Sequence, residues 1–176
     1  SPWWSQGRDP AVIVDVCCGG GSLGLIAAEA FPGATVLLSD LEPQAISLAA
    51  ENSALHRRPD RVLMLRADLL SALRSGSADV VLANPPYVSR GEMAELPPEY
   101  CHEPRMALEA DADGTELAIK LLREAVRVLT PDGLMLLEVG ETGVALEKRL
   151  PRVPLLWLEL PQGGAGVAAI SGQELR

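Results

Sequence analysis

Asn84-Pro85-Pro86-Tyr87 is the stretch of this sequence whose residue types best suit chemistry on a planar nitrogen. Such a nitrogen, in an amide or an exocyclic amine, is a poor nucleophile because its lone pair is delocalised into the π system. The Asn84 side-chain carbonyl and the Pro85 backbone carbonyl, which the prolines orient, could accept its two N–H groups. The Tyr87 ring could stack on the flat group. We therefore predict alkylation of an amide or amine, with Asn84, Pro85 and Tyr87 as catalytic residues; a proline-rich turn is the alternative.

A glycine-rich loop upstream of this stretch predicts a nucleotide-like cofactor. Gly19-Gly20-Gly21-Ser22-Leu23-Gly24 matches the G-x-G-x-x-G pattern that joins a strand to a helix and lets the backbone approach a ligand. Asp15 precedes the loop, where a carboxylate would repel the pyrophosphate of NAD but suits the ammonium and sulfonium charges of S-adenosylmethionine. The loop therefore favours S-adenosylmethionine, which carries an activated methyl group. An NAD site and a tight turn without a ligand are the alternatives.

Two more carboxylates follow predicted strands. Asp40 ends the second strand, where it can accept both ribose hydroxyls of a nucleoside. Asp68 follows the third strand, in position to accept from an adenine amino group, and it is equally compatible with capping a helix over residues 69–73. The full set predicted to contact the cofactor is Asp15, Cys17, Gly19, Gly21, Asp40, Leu41, Asp68, Leu69 and Asn84.

A parallel sheet covered by helices would bring these residues together, because the carboxyl ends of parallel strands lie at one edge of the sheet. Apolar runs predict strands over residues 12–16, 35–38, 62–65, 79–83 and 134–139. Helices are predicted over residues 22–31, 43–56 and 115–129, with a short helix ending near Leu150. Residues 130–133 predict a turn, residues 153–160 and 166–171 a β-hairpin, and residues 88–114 a long functional loop.

Composition narrows the classes of partner. The chain has 176 residues, 48% of them hydrophobic, which suits one domain with one core. A formal net charge of -9 disfavours direct binding of nucleic acid. An odd count of three cysteines and the lack of C-x-x-C pairs or histidine clusters predict neither a disulfide framework nor a metal site. No apolar stretch is long enough to cross a membrane, and we expect a cytoplasmic protein.

A family resemblance combines these motifs. Asp15-Val16-Cys17-Cys18-Gly19-Gly20-Gly21 followed by Asn84-Pro85-Pro86-Tyr87-Val88 resembles the HemK/PrmC/PrmB protein N(5)-glutamine methyltransferases, and the resemblance runs from Ile13 to the C-terminus. Residues 92–100, 102–104, 138–140, 157–159 and 163–167 are most similar to the PrmB branch, which modifies ribosomal protein L-three. Cys18 and Gly20 depart from the pattern, because they replace positions that usually carry hydroxyl groups.

The resemblance implies a class I, Rossmann-like α/β fold: a seven-stranded, mostly parallel sheet with an antiparallel C-terminal strand. It implies methyl transfer from S-adenosylmethionine to a glutamine side-chain amide of a ribosomal protein. A release-factor glutamine methyltransferase and a nucleic-acid amino-methyltransferase are the alternatives within this chemistry, and a non-catalytic nucleoside-binding domain is the alternative outside it. The family also has an N-terminal helical domain that docks the substrate. We expect that domain to be absent, so that residues 1–176 form one catalytic domain that binds the cofactor but methylates its substrate poorly.

Overall fold

The computed structural model describes residues 9–56, 60–86, 114–160 and 166–176, and within these ranges seven strands form one sheet. The strands are, in chain order, β1 (Val12–Val16), β2 (Thr35–Asp40), β3 (Val62–Arg66), β4 (Ala78–Ala83), β5 (Leu129–Glu138), β6 (Leu156–Trp157) and β7 (Val167–Ser171). They lie side by side in the order β3-β2-β1-β4-β5-β7-β6. Strands β1 to β5 are parallel, and β7 runs antiparallel to both β5 and β6. The expected mostly parallel sheet with an antiparallel C-terminal strand is confirmed.

Helices cover both faces of the sheet, which explains why its strands are apolar throughout. The helices are α1 (Ser22–Ala30), α2 (Pro43–Leu55), α3 (Glu116–Val128) and α4 (Gly143–Arg149), and a 3-10 helix over Gly140–Thr142 precedes α4. Successive side chains of a strand point to opposite faces. Ile13 of β1 accordingly joins an apolar cluster with α1 and α2, whereas Val14 and Val16 join the cluster formed with α3 and α4.

The predicted turn over residues 130–133 is wrong, because these residues lie inside β5. The register between β4 and β5 shifts between Ala78, paired with Leu129, and Val80, paired with Leu134. An irregularity of this kind accommodates extra residues in one strand, and it is also where a strand tolerates a proline such as Pro131. Leu129, predicted as the last helical residue, has the extended backbone that begins β5 instead.

Two other segments differ from expectation. The predicted strand over residues 153–160 is reduced to Leu156–Trp157, since Pro154 lacks the N–H that a ladder requires. Residues 69–73 form turns. The alternative prediction, in which Asp68 caps a helix over these residues, is therefore wrong. Most of the predicted loop over residues 88–114 lies outside the described residues. In the described part of the chain, no helix combines the length and the apolarity needed to cross a membrane.

Candidate active site

Four predicted site segments meet at one edge of the sheet. They follow β1, β2, β3 and β4, which are parallel neighbours, and Val16 pairs with Ser39 on one side and with Ala83 on the other. The chain runs outward from β1 through β2 to β3, and then returns to place β4 on the other side of β1. Open α/β sheets bind ligands at such a switch point. The crevice therefore lies between the loop after β1 and the loop after β4, which begins with Asn84.

The glycine loop approaches the sheet so closely that side chains are excluded. A Cβ atom at Gly21 would lie 2.7 Å from Leu38 Cδ1, and one at Gly24 would lie 2.2 Å from Leu38 Cδ2. Gly19 differs, since a Cβ there would meet no described atom within 4 Å, and its φ of 52° lies in the left-handed region. The loop is thus packed against β2 on one side and leaves the backbone at Gly19 facing open space. A ligand could approach that backbone directly.

Cys17 and Leu69 are the only two non-glycine residues with positive φ among the described residues, at 57° and 49°. Each such residue costs of order 1–3 kcal/mol, and strain of this kind clusters at ligand sites. Both belong to the set that the sequence predicted to contact the cofactor. The strained backbone supports a ligand site at this edge of the sheet.

Asp40 orients the loop through both of its carboxylate oxygens. Oδ2 accepts from the backbone N–H of Gly19 at 2.9 Å, and Oδ1 accepts from that of Glu42 at 2.9 Å. Each carboxylate oxygen has a second lone pair available to a ligand hydroxyl. Asp40 is therefore held in one orientation at the end of β2, in a position to accept from a ribose.

Asp15 lies beneath the loop rather than beside it. Its side chain is buried, and its Oδ2 accepts from the N–H of Gly24 at 2.8 Å. The residue that precedes α1 is Gly21, which has no side chain to cap the helix, so a carboxylate from β1 supplies the missing acceptor. Burial raises the pKa of Asp15 to about 7, against the favourable hydrogen bond from Gly24. The sequence predicted the carboxylate but not its burial.

The pH dependence of stability is expected to carry the signature of Asp15. Its folded pKa of about 7 exceeds the ordinary value of 3.8, so between these values the folded state holds a proton that the unfolded state releases. The free energy of unfolding therefore falls as pH rises from about 4 to about 7 and levels off above that range. Asp15→Asn removes this titration while retaining an acceptor. Between pH 4.5 and 7.5 the variant should gain about 3 kcal/mol relative to wild type, measured by urea denaturation. Parallel pH profiles for the two proteins would contradict this assignment.

Three carboxylates influence the pKa of the Cys17 thiol. Burial, together with the smaller effect of the charges of Asp40, Asp15 and Asp68, raises the pKa of the Cys17 thiol to about 12. Burial also raises the pKa of Cys18. Both thiols are therefore protonated at neutral pH and are poor nucleophiles. The loop between β1 and α1 lies in a negative environment that favours a cation.

Asp68 forms a salt bridge with a lysine side chain. Lys120 Nζ of α3 donates to Asp68 Oδ2 at 2.9 Å, and both side chains are about half exposed. Asp68 follows β3, which is two strands from β1 in the sheet order. Surface pairs of this type are weak, so the carboxylate is able to accept a further hydrogen bond.

Asn84 and Pro85 lie where the sequence placed them, directly after β4. Asn84 is exposed, and its side chain forms no hydrogen bond with any described residue, whereas Pro85 is buried. The side-chain carbonyl of Asn84 is therefore available to a substrate N–H. Tyr87, the third predicted catalytic residue, lies outside the described residues. Within the described ranges, no group of three or more His, Cys, Asp or Glu side chains could hold a metal ion.

Asn52 is a site residue that the sequence did not reveal. Its Nδ2 donates to the backbone carbonyl of Gly20 at 2.8 Å, which ties α2 to the glycine loop. The two residues are 32 positions apart, and an asparagine within a helix carries no signal of such a contact. Gly20 belongs there because a Cβ would lie 3.2 Å from this same nitrogen.

Comparison with known proteins identifies relatives of the chain. A model of the family described as "Methyltransferase small domain" matches residues 6–153. Two curated relatives are named ribosomal protein uL3 glutamine methyltransferase. One, from Francisella tularensis subsp. tularensis, is 35% identical over 99% of this chain and 56% of its own length. The other, from Xanthomonas campestris pv. campestris, is 39% identical over 98% of this chain and 56% of its own length. The chain thus spans about half the length of the curated relatives it matches.

Solved structures show the same fold at low identity. Ribosomal protein L11 methylase from Lactobacillus delbrueckii subsp. bulgaricus superimposes with a TM-score of 0.62 at 19% identity, covering 94% of this chain and 72% of that one. The hMettl16 catalytic domain, in complex with MAT2A 3'UTR hairpin 1, has a TM-score of 0.68 at 16% identity and covers 90% and 62%. These likenesses concern the fold alone. Together with the match over residues 6–153, they confirm the expected fold class: the chain belongs to the methyltransferase small domain family.

Proposed function

We propose that this chain binds S-adenosylmethionine at the β1–β4 switch point and transfers its methyl group to the side-chain amide nitrogen of a glutamine in a protein. The observation that carries this proposal is the position of Asn84. Its exposed side chain follows β4 directly, beside the glycine loop, and makes no hydrogen bond with a described residue. An amide acceptor in that position can orient a planar nitrogen toward a methyl donor bound on the loop.

The donors and acceptors of the crevice fit S-adenosylmethionine. The open backbone at Gly19 and the fixed carboxylate of Asp40 suit a nucleoside. Bound there, S-adenosylmethionine would supply a methyl carbon attached to a cationic sulfur that leaves as a neutral thioether. The negative charges of Asp40 and Asp68, both of which raise the pKa of Cys17, favour a cation and disfavour a pyrophosphate. This charge balance supports S-adenosylmethionine over NAD.

The chain's own residues act mainly by placement. When the nitrogen lone pair formed the new N–C bond, the electron pair of the S–C bond would pass to sulfur, and the nitrogen would gain positive charge until it lost a proton to water. The Asn84 side-chain carbonyl and the Pro85 backbone carbonyl accept the two N–H groups, and these hydrogen bonds strengthen as that charge develops. Good orientation contributes roughly 7–11 kcal/mol to such reactions, so no strong base is required. Tyr87 is proposed to stack on the amide.

The proposed substrate is ribosomal protein uL3, because both curated relatives described above are named for that activity. The net charge of -9 suits a partner rich in basic residues, as proteins that bind RNA are. This substrate implies action in the cytoplasm. The two apolar clusters on the two faces of one sheet support a single catalytic domain in these residues. Release factors are the alternative protein substrate.

Calorimetry with S-adenosylmethionine, followed by mass spectrometry of uL3 incubated with the protein and cofactor, tests the proposal. The expected results are binding of S-adenosylmethionine, no binding of NADH, and the mass of one methyl group added to one glutamine. Methylation confined to a release factor would overturn the uL3 assignment alone. Methylation of an RNA or DNA amine, or binding of the cofactor without transfer to any protein amide, would overturn the proposal itself.

Asn52→Ala is expected to weaken cofactor binding. The substitution removes the hydrogen bond to Gly20 that holds the loop, and one such bond contributes about 1 kcal/mol, so the Kd for S-adenosylmethionine should rise about fivefold. Glu51→Ala, an exposed neighbour on the same helix, is the matched control and should leave the Kd unchanged. Calorimetry measures both values. Equal affinities in the two variants would show that the contact does not position the loop.

A further inference from the structure

An open groove of about 680 Å³ lies on the β5–β7–β6 side of the same sheet edge. Its walls are the turn after β5, helix α4 and the segment that leaves β6. Among the described residues that line it are Glu141, Val144, Glu147, Trp157, Glu159 and Leu160. The groove is separate from the glycine loop, which lies beyond β4 on the other side of the crevice.

Close backbone contacts give the groove a fixed shape. The Trp157 ring packs on Gly143, where a Cβ would lie 2.8 Å from ring atom Cη2, and the indole Nε1 donates to Glu147 Oε1 at 2.6 Å. At the floor, the N–H of Val139 donates to the carbonyl of Gly166 at 2.8 Å. The aromatic wall is therefore held in place before anything binds, which lowers the entropic cost of binding.

The groove combines apolar surface with negative charge. Val144 is 64% exposed and Leu160 is 44% exposed, and both line the groove together with Trp157. Three glutamates, Glu141, Glu147 and Glu159, line the same surface, and none of the lining residues that the structure describes is basic. Described residues form no salt bridge with these glutamates. Uncompensated carboxylates beside an exposed apolar wall suit a cationic, partly apolar partner.

The groove lies within reach of the proposed reaction centre. Ala83 pairs with Leu137, Leu137 with Ala168, and Ala168 with Trp157, so these residues form one row across four strands. Three strand spacings place Trp157 roughly 14 Å from Ala83, the residue before Asn84. An extended polypeptide advances about 3.3 Å per residue, so about four residues cover this distance. One peptide could thus present a side chain at Asn84 and occupy the groove.

We propose that this groove binds a lysine- or arginine-rich polypeptide segment about four residues from the target glutamine, with one apolar side chain of that segment packed against Trp157. The proposal rests on the proposed function, since it names the chemistry of the sequence around the methylated residue. The carboxylates of Glu141 and Glu159 face the basic side chains, and Glu147 holds the indole. Nucleic acid is the wrong partner for this surface because its phosphates would be repelled. A second copy of a chain with a net charge of -9 would also be repelled.

A labelled synthetic peptide tests this surface. The peptide contains one glutamine, followed four residues later by a Lys-Leu-Arg segment, and its Kd is measured by fluorescence anisotropy at low and high salt. Glu141→Gln with Glu159→Gln should raise the Kd about tenfold at low salt and much less at high salt. The matched control is Glu29→Gln with Glu51→Gln, which makes the same charge change on α1 and α2, across the sheet from α4. The control should leave the Kd within about twofold of wild type, because its charges lie far from the groove.

The two proposals fail in different ways. An equal loss of affinity in the groove variant and its control would show attraction by bulk charge and overturn the groove assignment. If neither variant lost affinity for the peptide, the groove assignment would also be overturned. A dimer of the protein, seen by sedimentation, that the peptide fails to dissociate would overturn it as well. If affinity depends on the groove while the wild-type protein methylates no glutamine, the docking surface stands and the proposed reaction fails. If the protein methylates glutamine but peptide affinity does not depend on the groove, the proposed reaction stands and the docking surface fails.

Discussion

Asn84→Ala is expected to lower the rate of methyl transfer about a hundredfold to a thousandfold, while the Kd for S-adenosylmethionine changes less than about twofold. The carbonyl of Asn84 is the one side-chain acceptor that the described residues place after β4. Its hydrogen bond to the amide N–H strengthens only as the nitrogen becomes positive, so its loss raises the barrier more than it weakens binding. The cofactor is held by the loop after β1 and by Asp40, which the substitution does not touch.

Single-turnover transfer to the protein substrate and calorimetry of the cofactor, both on wild type and variant, separate these effects. Asn84→Asp is the matched control, since it keeps an oxygen acceptor of the same size. It should retain more activity than Asn84→Ala. Wild-type turnover in the alanine variant would show that Asn84 does not orient the nitrogen. A large loss of cofactor binding would place it in the cofactor site instead.

The order of strand ends and the motif after β4 were predictable because each depends on local sequence. Continuous apolar runs indicate strands buried on both faces, and a parallel sheet forces their carboxyl ends together. Gly19, Asp40 and Asn84 consequently lie where the pattern placed them, at one sheet edge. The pattern could not predict the burial of these side chains or the hydrogen bonds that they form within the protein.

Asp15 shows that limit most clearly. Its charge and position were predicted, and its role was taken to be electrostatic attraction of the cofactor. In the structure the carboxylate is buried and accepts from Gly24, so it also holds α1 against β1. Asn52 was missed because its contact with Gly20 joins residues far apart in the chain. The error at residues 130–133 has a similar cause, since β5 accommodates these residues at the register shift between the pairs Ala78–Leu129 and Val80–Leu134, and local sequence does not reveal such a shift.

The largest effect on stability is expected for Gly166→Ala. A Cβ at this position would lie 1.9 Å from the backbone oxygen of Gly140, and φ is 80°, where residues with a Cβ are strained. The backbone cannot move aside as a flexible side chain can, and the N–H of Val139 donates a hydrogen bond to the Gly166 carbonyl. Steric crowding and left-handed backbone each cost roughly 1–3 kcal/mol, so together they should destabilise the protein by about 2–6 kcal/mol.

Three other glycines separate these two causes. Gly172→Ala meets the Thr130 backbone oxygen at 2.4 Å without positive φ, and Gly76→Ala has a φ of 62° with no described atom within 4 Å. Gly33→Ala has neither problem and should be neutral or slightly stabilising. Urea denaturation of the four variants should therefore rank Gly166→Ala as the least stable, Gly172→Ala and Gly76→Ala as intermediate, and Gly33→Ala as the most stable. If Gly166→Ala were no worse than Gly76→Ala, the contact between Gly166 and Gly140 would be loose. The groove wall that this contact supports would then not be preformed for a substrate.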